Sequence, residues 1–168
     1  MEGEIVNRVA ASGIVTLELE KYHQPGDRVV LDLAGQLENG LLLREKPFRE
    51  FIRGTDWAQF AGKHVAVCCT AEAIIPAWAY MLVGTSLQPH ASTVVFGNLE
   101  GLEERLFLQA LGREDWEQFR DARVVVKGCT SVEVPAAVYL EVSARLRPVA
   151  MGIMFGEACS SVPVFKKK

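Results

Sequence analysis

Four cysteines, Cys68, Cys69, Cys129 and Cys159, are the side chains of this chain best suited to chemistry. Cys68-Cys69 closes the apolar run His64-Val65-Ala66-Val67, Cys129 lies two residues beyond Arg123-Val124-Val125-Val126-Lys127, and Cys159 follows Phe155-Gly156-Glu157-Ala158. Each thiol therefore stands at or just after the end of a run that reads as a strand. Asp32 ends another such run, and Glu157 precedes Cys159 by two residues. Zinc takes thiolate, imidazole or carboxylate in a tetrahedral shell, so Cys69, Cys129 and Cys159 with Asp32, Glu157 or water would complete one. No Cys-x-x-Cys pair reinforces that reading. The same thiols, close to helix N-termini, would be nucleophilic if their pKa were lowered. Free cysteine is also among the most buried residue types, and Cys68 suits the role of a small apolar filler best.

What would bring these residues together is a parallel sheet. Period-2 runs read as strands over 14–19, 29–33, 64–68, 92–96, 123–127 and 151–155, with helical periodicity over 41–52, 76–86, 102–111 and 135–147. Strands alternating with helices imply crossover units in a mostly parallel sheet with helices on both faces. In such sheets, ligands bind where loops diverge at the carboxyl ends of the strands. The cysteines, Asp32 and Glu157 all fall at that end. His64 and His90 begin or precede strands, which places them at the opposite edge, about 15 Å away at roughly 3.3 Å per residue.

The chain also repeats itself. Asp56-Trp57-Ala58-Gln59-Phe60 recurs as Asp115-Trp116-Glu117-Gln118-Phe119, an offset of 116 − 57 = 59 residues. The same offset carries Phe48 to Phe107, Pro76 to Pro135, Tyr80 to Tyr139 and Phe96-Gly97 to Phe155-Gly156, so residues 48–97 are echoed by 107–156. Around the cysteines the alignment slips by one, and Cys69-Thr70 answers Cys129-Thr130. Asp followed three residues later by Gln has the spacing of a capping box, with Trp and Phe anchoring the turn. Pro76 and Pro135 suit the first turns of helices. These repeated residues are read as scaffold, and Cys159 has no counterpart in the first copy.

Composition narrows the function classes. The chain has 168 residues, 49% hydrophobic and 23% charged, enough for one α/β domain over 1–168 with its own core. A net charge of −3, with Lys166-Lys167-Lys168 as its one basic run, argues against a nucleic-acid partner. No apolar stretch reaches the roughly 18 residues of a membrane span, and the first residues lack a signal-peptide pattern, so a cytoplasmic protein with reduced thiols is expected. Phosphate-binding glycine loops, a Gly-x-Ser-x-Gly elbow and a His-Glu-x-x-His helix are absent from the sequence. Three classes remain: a zinc-binding protein, a thiol-based redox or nucleophilic enzyme, and a non-catalytic binding or scaffold protein with structural cysteines. A homodimer and an unspecified small-molecule ligand are compatible with all three.

Ile74-Ile75-Pro76-Ala77-Trp78-Ala79-Tyr80-Met81, Lys127-Gly128-Cys129 and Gly156-Glu157-Ala158-Cys159-Ser160-Ser161-Val162-Pro163 resemble a domain-of-unknown-function family, number 2480, of Bacteroidetes-type bacteria. The resemblance extends from Glu4-Ile5-Val6-Asn7 to Val164-Phe165-Lys166. It implies a small bacterial protein and carries no catalytic residue over to this chain.

Overall fold

A computed structural model describes residues 13–128 and 130–168. Strands and helices alternate as β1 (Ile14–Glu18), β2 (Arg28–Asp32), α1 (Glu45–Gly54), β3 (His64–Cys68), α2 (Ala77–Leu87), β4 (Thr93–Phe96), α3 (Leu99–Leu111), β5 (Arg123–Lys127), α4 (Ala136–Leu146), β6 (Gly152–Glu157) and β7 (Ser160–Lys166). The protein is mixed α/β, but its strands sort into two sheets where the sequence reading has one. Their orders are β1-β5-β6-β7 and β2-β3-β4. All neighbours are parallel except β7, which runs antiparallel to β6. Alternation of elements fixes parallel pairing but not which strands pair, and here β2 lies beside β3 while β1 lies beside β5.

Two compact units result. One, the split unit, combines the chain up to Gln24 with Leu106–Lys168; the other, the inserted unit, is Pro25–Arg105. Each has its own core. In the inserted unit Leu33, Phe48, Phe60, Val65, Val67, Ala79, Val83 and Leu87 pack together. In the split unit the cluster includes Leu19, Phe107, Phe119, Val124, Val126, Val138, Val142 and Leu146. Seven of those positions differ by 59 from their counterparts, as 107 − 48 = 59 and 146 − 87 = 59, whereas Leu19 and Leu33 differ by 14. Strand bounds follow the same two spacings: β3 to β5 is 59, and β1 to β2 is 14. The central strands β3 and β5 carry the longest buried runs, at His64–Val67 and Val124–Val126 in sequence, which is why they are valine-rich without alternation.

Local chemistry explains several departures from sequence periodicity. The helix expected over 41–52 begins four residues later, at Glu45. Asn39 (φ 52°) and Gly40 (φ 70°) are both left-handed and fold the chain into a tight turn closed by the Glu38–Leu42 bridge. Leu41 and Leu42 are consequently exposed. The repeated Asp-Trp-x-Gln-Phe segments are short 3-10 turns, Trp57–Phe60 and Trp116–Phe119. Their caps are related to a capping box but are not one. Asp56 Oδ1 accepts from the Ala58 amide at 3.1 Å, and Gln59 Nε2 donates to the Asp56 carbonyl at 2.8 Å, with the same pattern at Asp115 and Gln118. The indoles of Trp57 and Trp116 donate to the carbonyls of Ile52 and Leu111 at 2.8 and 3.2 Å. Each turn is thereby tied to the end of the preceding helix.

Strand β7 has no counterpart in the sequence reading. Pro163 obscures it, because proline cannot donate to a ladder. It is tolerated because β7 is an edge strand, where Pro163 faces Met154 of β6 and needs no outward partner.

Candidate functional site

At the carboxyl edge of the inserted unit's sheet, Asp32 and Cys68 end adjacent strands as direct register partners. Cys69 and Thr70 follow. Asp32 Oδ1 accepts from the amides of Ala34 at 2.9 Å and Thr70 at 3.0 Å, and Oδ2 accepts from the Thr70 hydroxyl at 2.5 Å. The Thr70 hydroxyl foremost, then the two amides, holds the Asp32 carboxyl below its ordinary range. Its lone pairs are committed to the loop after β3 and to the 3-10 turn that starts at Leu33. Asp32 is built as a clamp on two loops.

Of the neighbouring thiols, Cys68 is held toward its protonated form. Burial, then the charges of Asp32 and Cys69, push the Cys68 thiol upward. Cys69 Sγ donates to the Ala71 carbonyl at 3.7 Å. Tyr80, on α2, is also raised, first by burial and then by the charges Cys69 and Cys68 would carry. Cys68 is moved away from the thiolate needed for nucleophilic chemistry.

The matching edge of the split unit is chemically different. The register pair Glu18–Lys127 stands where the inserted unit has Asp32–Cys68. Lys127 Nζ pairs with Glu157 Oε1 at 3.1 Å, and its pKa is raised chiefly by that hydrogen bond and charge, with Glu18 and Glu20 adding to it. Ser131 donates to Glu20 Oε1 at 2.7 Å. At the 59-residue spacing Gly128 occupies the place of Cys69, and a Cβ there would meet the Tyr139 hydroxyl oxygen at 2.9 Å. The glycine makes room for that tyrosine.

The residues expected to share a zinc ion are thus distributed between two units. Asp32 and Cys69 belong to the inserted unit, and Glu157 and Cys159 to the split unit. Cys159 is exposed in the two-residue turn joining β6 to β7, and Cys129 lies outside the described residues. Among the described residues no group of three His, Cys, Asp or Glu side chains is placed to hold a metal. His64 does stand at the amino edge, where its Nε2 lies 2.8 Å from the Pro25 carbonyl.

Each unit also carries an apolar cleft. In the split unit a cleft of about 410 Å³ is lined by Val126, Tyr139, Ser143, Ile153, Met154, Phe155, Val162 and Val164. A smaller cleft of about 300 Å³ in the inserted unit is lined by Val67, Tyr80, Gly84, Val94, Val95 and Phe96. Adding 59 to each of those six numbers gives the first six residues of the larger cleft. Both contain the same edge-to-face pair: Tyr80 with Phe96 at 5.3 Å and Tyr139 with Phe155 at 5.7 Å between ring centres. Ser143 turns its hydroxyl back onto the Tyr139 carbonyl at 2.7 Å, so the wall it forms is hydrocarbon in character. Val162 and Val164 of β7 extend the larger cleft. The sequence signal for it is present in the repeated Tyr-to-Phe spacing, 96 − 80 = 16 and 155 − 139 = 16.

Two small, mostly parallel α/β sheets with matched apolar clefts define the class of this molecule. Residues 3–167 match the family model described as a protein of unknown function, DUF2480, and the chain belongs to that family. No curated protein and no solved structure matches it.

Proposed function

We propose that the protein binds an apolar small molecule in the open cleft of the split unit. The observation that carries this reading is the 410 Å³ cleft itself, whose lining is hydrocarbon and aromatic apart from two hydroxyl-bearing side chains. That volume falls within the roughly 300–1,000 Å³ of small-molecule sites, which are mostly apolar with few polar groups. We read the 59-residue spacing as an internal duplication, in which the split unit enlarged its cleft by acquiring β7. A binding role is preferred over a zinc centre because among the described residues no group of three His, Cys, Asp or Glu side chains is placed to hold a metal, and over thiol catalysis because burial pushes the Cys68 thiol up, away from the thiolate. A bacterial, cytoplasmic protein with structural cysteines fits that reading.

Titration with an environment-sensitive apolar dye, such as anilinonaphthalene sulfonate, tests the proposal. Saturable binding at one site is expected, weakened about tenfold or more by Ser143→Trp, which fills the cleft, and by Val162→Asp, which charges its rim. The equivalent Gly84→Trp in the inserted unit is expected to leave that site unchanged. Absence of saturable binding to folded protein, or binding indifferent to both cleft variants, would overturn the assignment.

A further inference from the structure

We propose that β4 is a docking edge for a second copy of this chain, the two β4 strands pairing antiparallel across a two-fold axis. In the split unit β6 lies between β5 and β7, whereas β4 has β3 as its one partner among the described strands. Cover changes exposure: Val94 and Phe96 are 38% and 74% exposed, while their counterparts Ile153 and Phe155 are 2% and 42%. The inserted unit thus repeats the cleft and the aromatic pair of the split unit but lacks the strand that flanks them.

The free edge is suited to pairing. Gly97 donates to the Val67 carbonyl at 2.9 Å, so by strand alternation Val95 points its backbone groups toward β3 while Val94 and Phe96 point theirs outward. Natural sheet edges are guarded by proline, lysine or bulges. The edge strand β7 carries Pro163 and Lys166, but Thr93-Val94-Val95-Phe96 carries no guard. The segment Ala91-Ser92-Thr93-Val94-Val95-Phe96-Gly97-Asn98-Leu99 also contains no charged residue, so no like charges would oppose one another in a self-pair.

A second copy is the occupant that meets these conditions. A two-fold axis perpendicular to the sheet, which is the one that brings two edge strands side by side, places β4 antiparallel to its own copy, the orientation β7 takes against β6. Pairing the outward-facing residues sets Val94 opposite Phe96 of the copy and Val95 opposite itself. Val95 then occupies a non-hydrogen-bonded pair, where Cα atoms lie about 4.5 Å apart. The pairing requires neither ligand binding in the split unit nor ancestry of the repeat.

The test measures mass by analytical ultracentrifugation from micromolar to sub-millimolar protein. Wild type is expected to approach twice the monomer mass, and Val94→Pro, which removes an outward donor, and Phe96→Lys are expected to remain monomeric with unchanged far-ultraviolet spectra. In a background with native cysteines replaced by serine, Val95→Cys is expected to form an intermolecular disulfide on mild oxidation, since about 4.5 Å lies within the bridging range. Amide exchange at Val94 and Phe96 in wild type is expected to slow as concentration rises, a readout that needs no variant to fold. A wild-type monomer at every concentration would overturn the proposal. So would self-association that leaves those two amides unprotected, which would place the interface elsewhere.

Discussion

Asp32 shows how a residue with the right type and position for catalysis can serve the backbone instead. Its carboxylate binds two amides and one hydroxyl, all from loops that begin where β2 and β3 end. Asp32→Ala is expected to cost about 1 kcal/mol near neutral pH, the usual value of a lost cap. Because the folded carboxyl is held low, its contribution is present above the unfolded value of about 3.9 and is lost as pH falls through the lower folded value. Urea denaturation of wild type and variant should therefore show a gap near neutrality that closes on acidification; a gap that widened in acid would contradict the clamp. The position of Asp32 at a strand end was legible from sequence. Its commitment to Thr70 was not, because that partner is 70 − 32 = 38 residues away and hydroxyl-bearing loops carry no distinctive spacing. The cysteines carry no such spacing either: a thiol near a strand end looks the same in sequence whether its loop meets another thiol or not.

Among the elements, the β6–β7 hairpin is the sharpest difference between the units. Gly97 and Gly156 are equivalent by the 59-residue spacing, and both have backbone angles that other residues rarely adopt, φ 129° and φ 122°. Their surroundings differ. A Cβ on Gly97 meets nothing within 4 Å, whereas one on Gly156 meets the Ser160 carbonyl oxygen at 2.8 Å, a backbone atom that cannot step aside. Gly97→Ala is expected to cost about 1–3 kcal/mol from backbone strain alone. Gly156→Ala should cost more, and should also loosen β7, seen as faster amide exchange at Val162 and Val164. Equal melting temperatures for the two variants would count against the hairpin's close approach. Strand and helix identity in the repeated segments followed from periodicity and proline placement. The hairpin stayed hidden because Pro163 interrupts its pattern, and α1 was misplaced because Leu41 and Leu42 mimic a helix face while standing in a turn.

At the scale of the whole molecule, the two cores are distinct clusters with matched positions. Leu87 and Leu146 are both fully buried at the ends of α2 and α4, one in each cluster. Leu87→Ala and Leu146→Ala are each expected to cost about 2–5 kcal/mol. Hydrogen exchange mapped by fragment should show the first variant losing protection mainly over Pro25–Arg105 and the second mainly over Leu106–Lys168. Uniform loss across both units would show that they unfold as one. The 59-residue spacing was visible in the sequence, but the partition into two sheets was not, since strand order depends on long-range pairing. That connectivity also has a consequence for synthesis. β1 is synthesised 123 − 14 = 109 residues before its partner β5 begins, whereas β2 meets β3 after 64 − 28 = 36. At about 5–20 residues per second, β1 waits on the order of 5–20 s while the inserted unit has everything it needs to close. β1 therefore stays unpaired through synthesis of the whole inserted unit, and an unpaired strand edge is the kind of surface a chaperone covers.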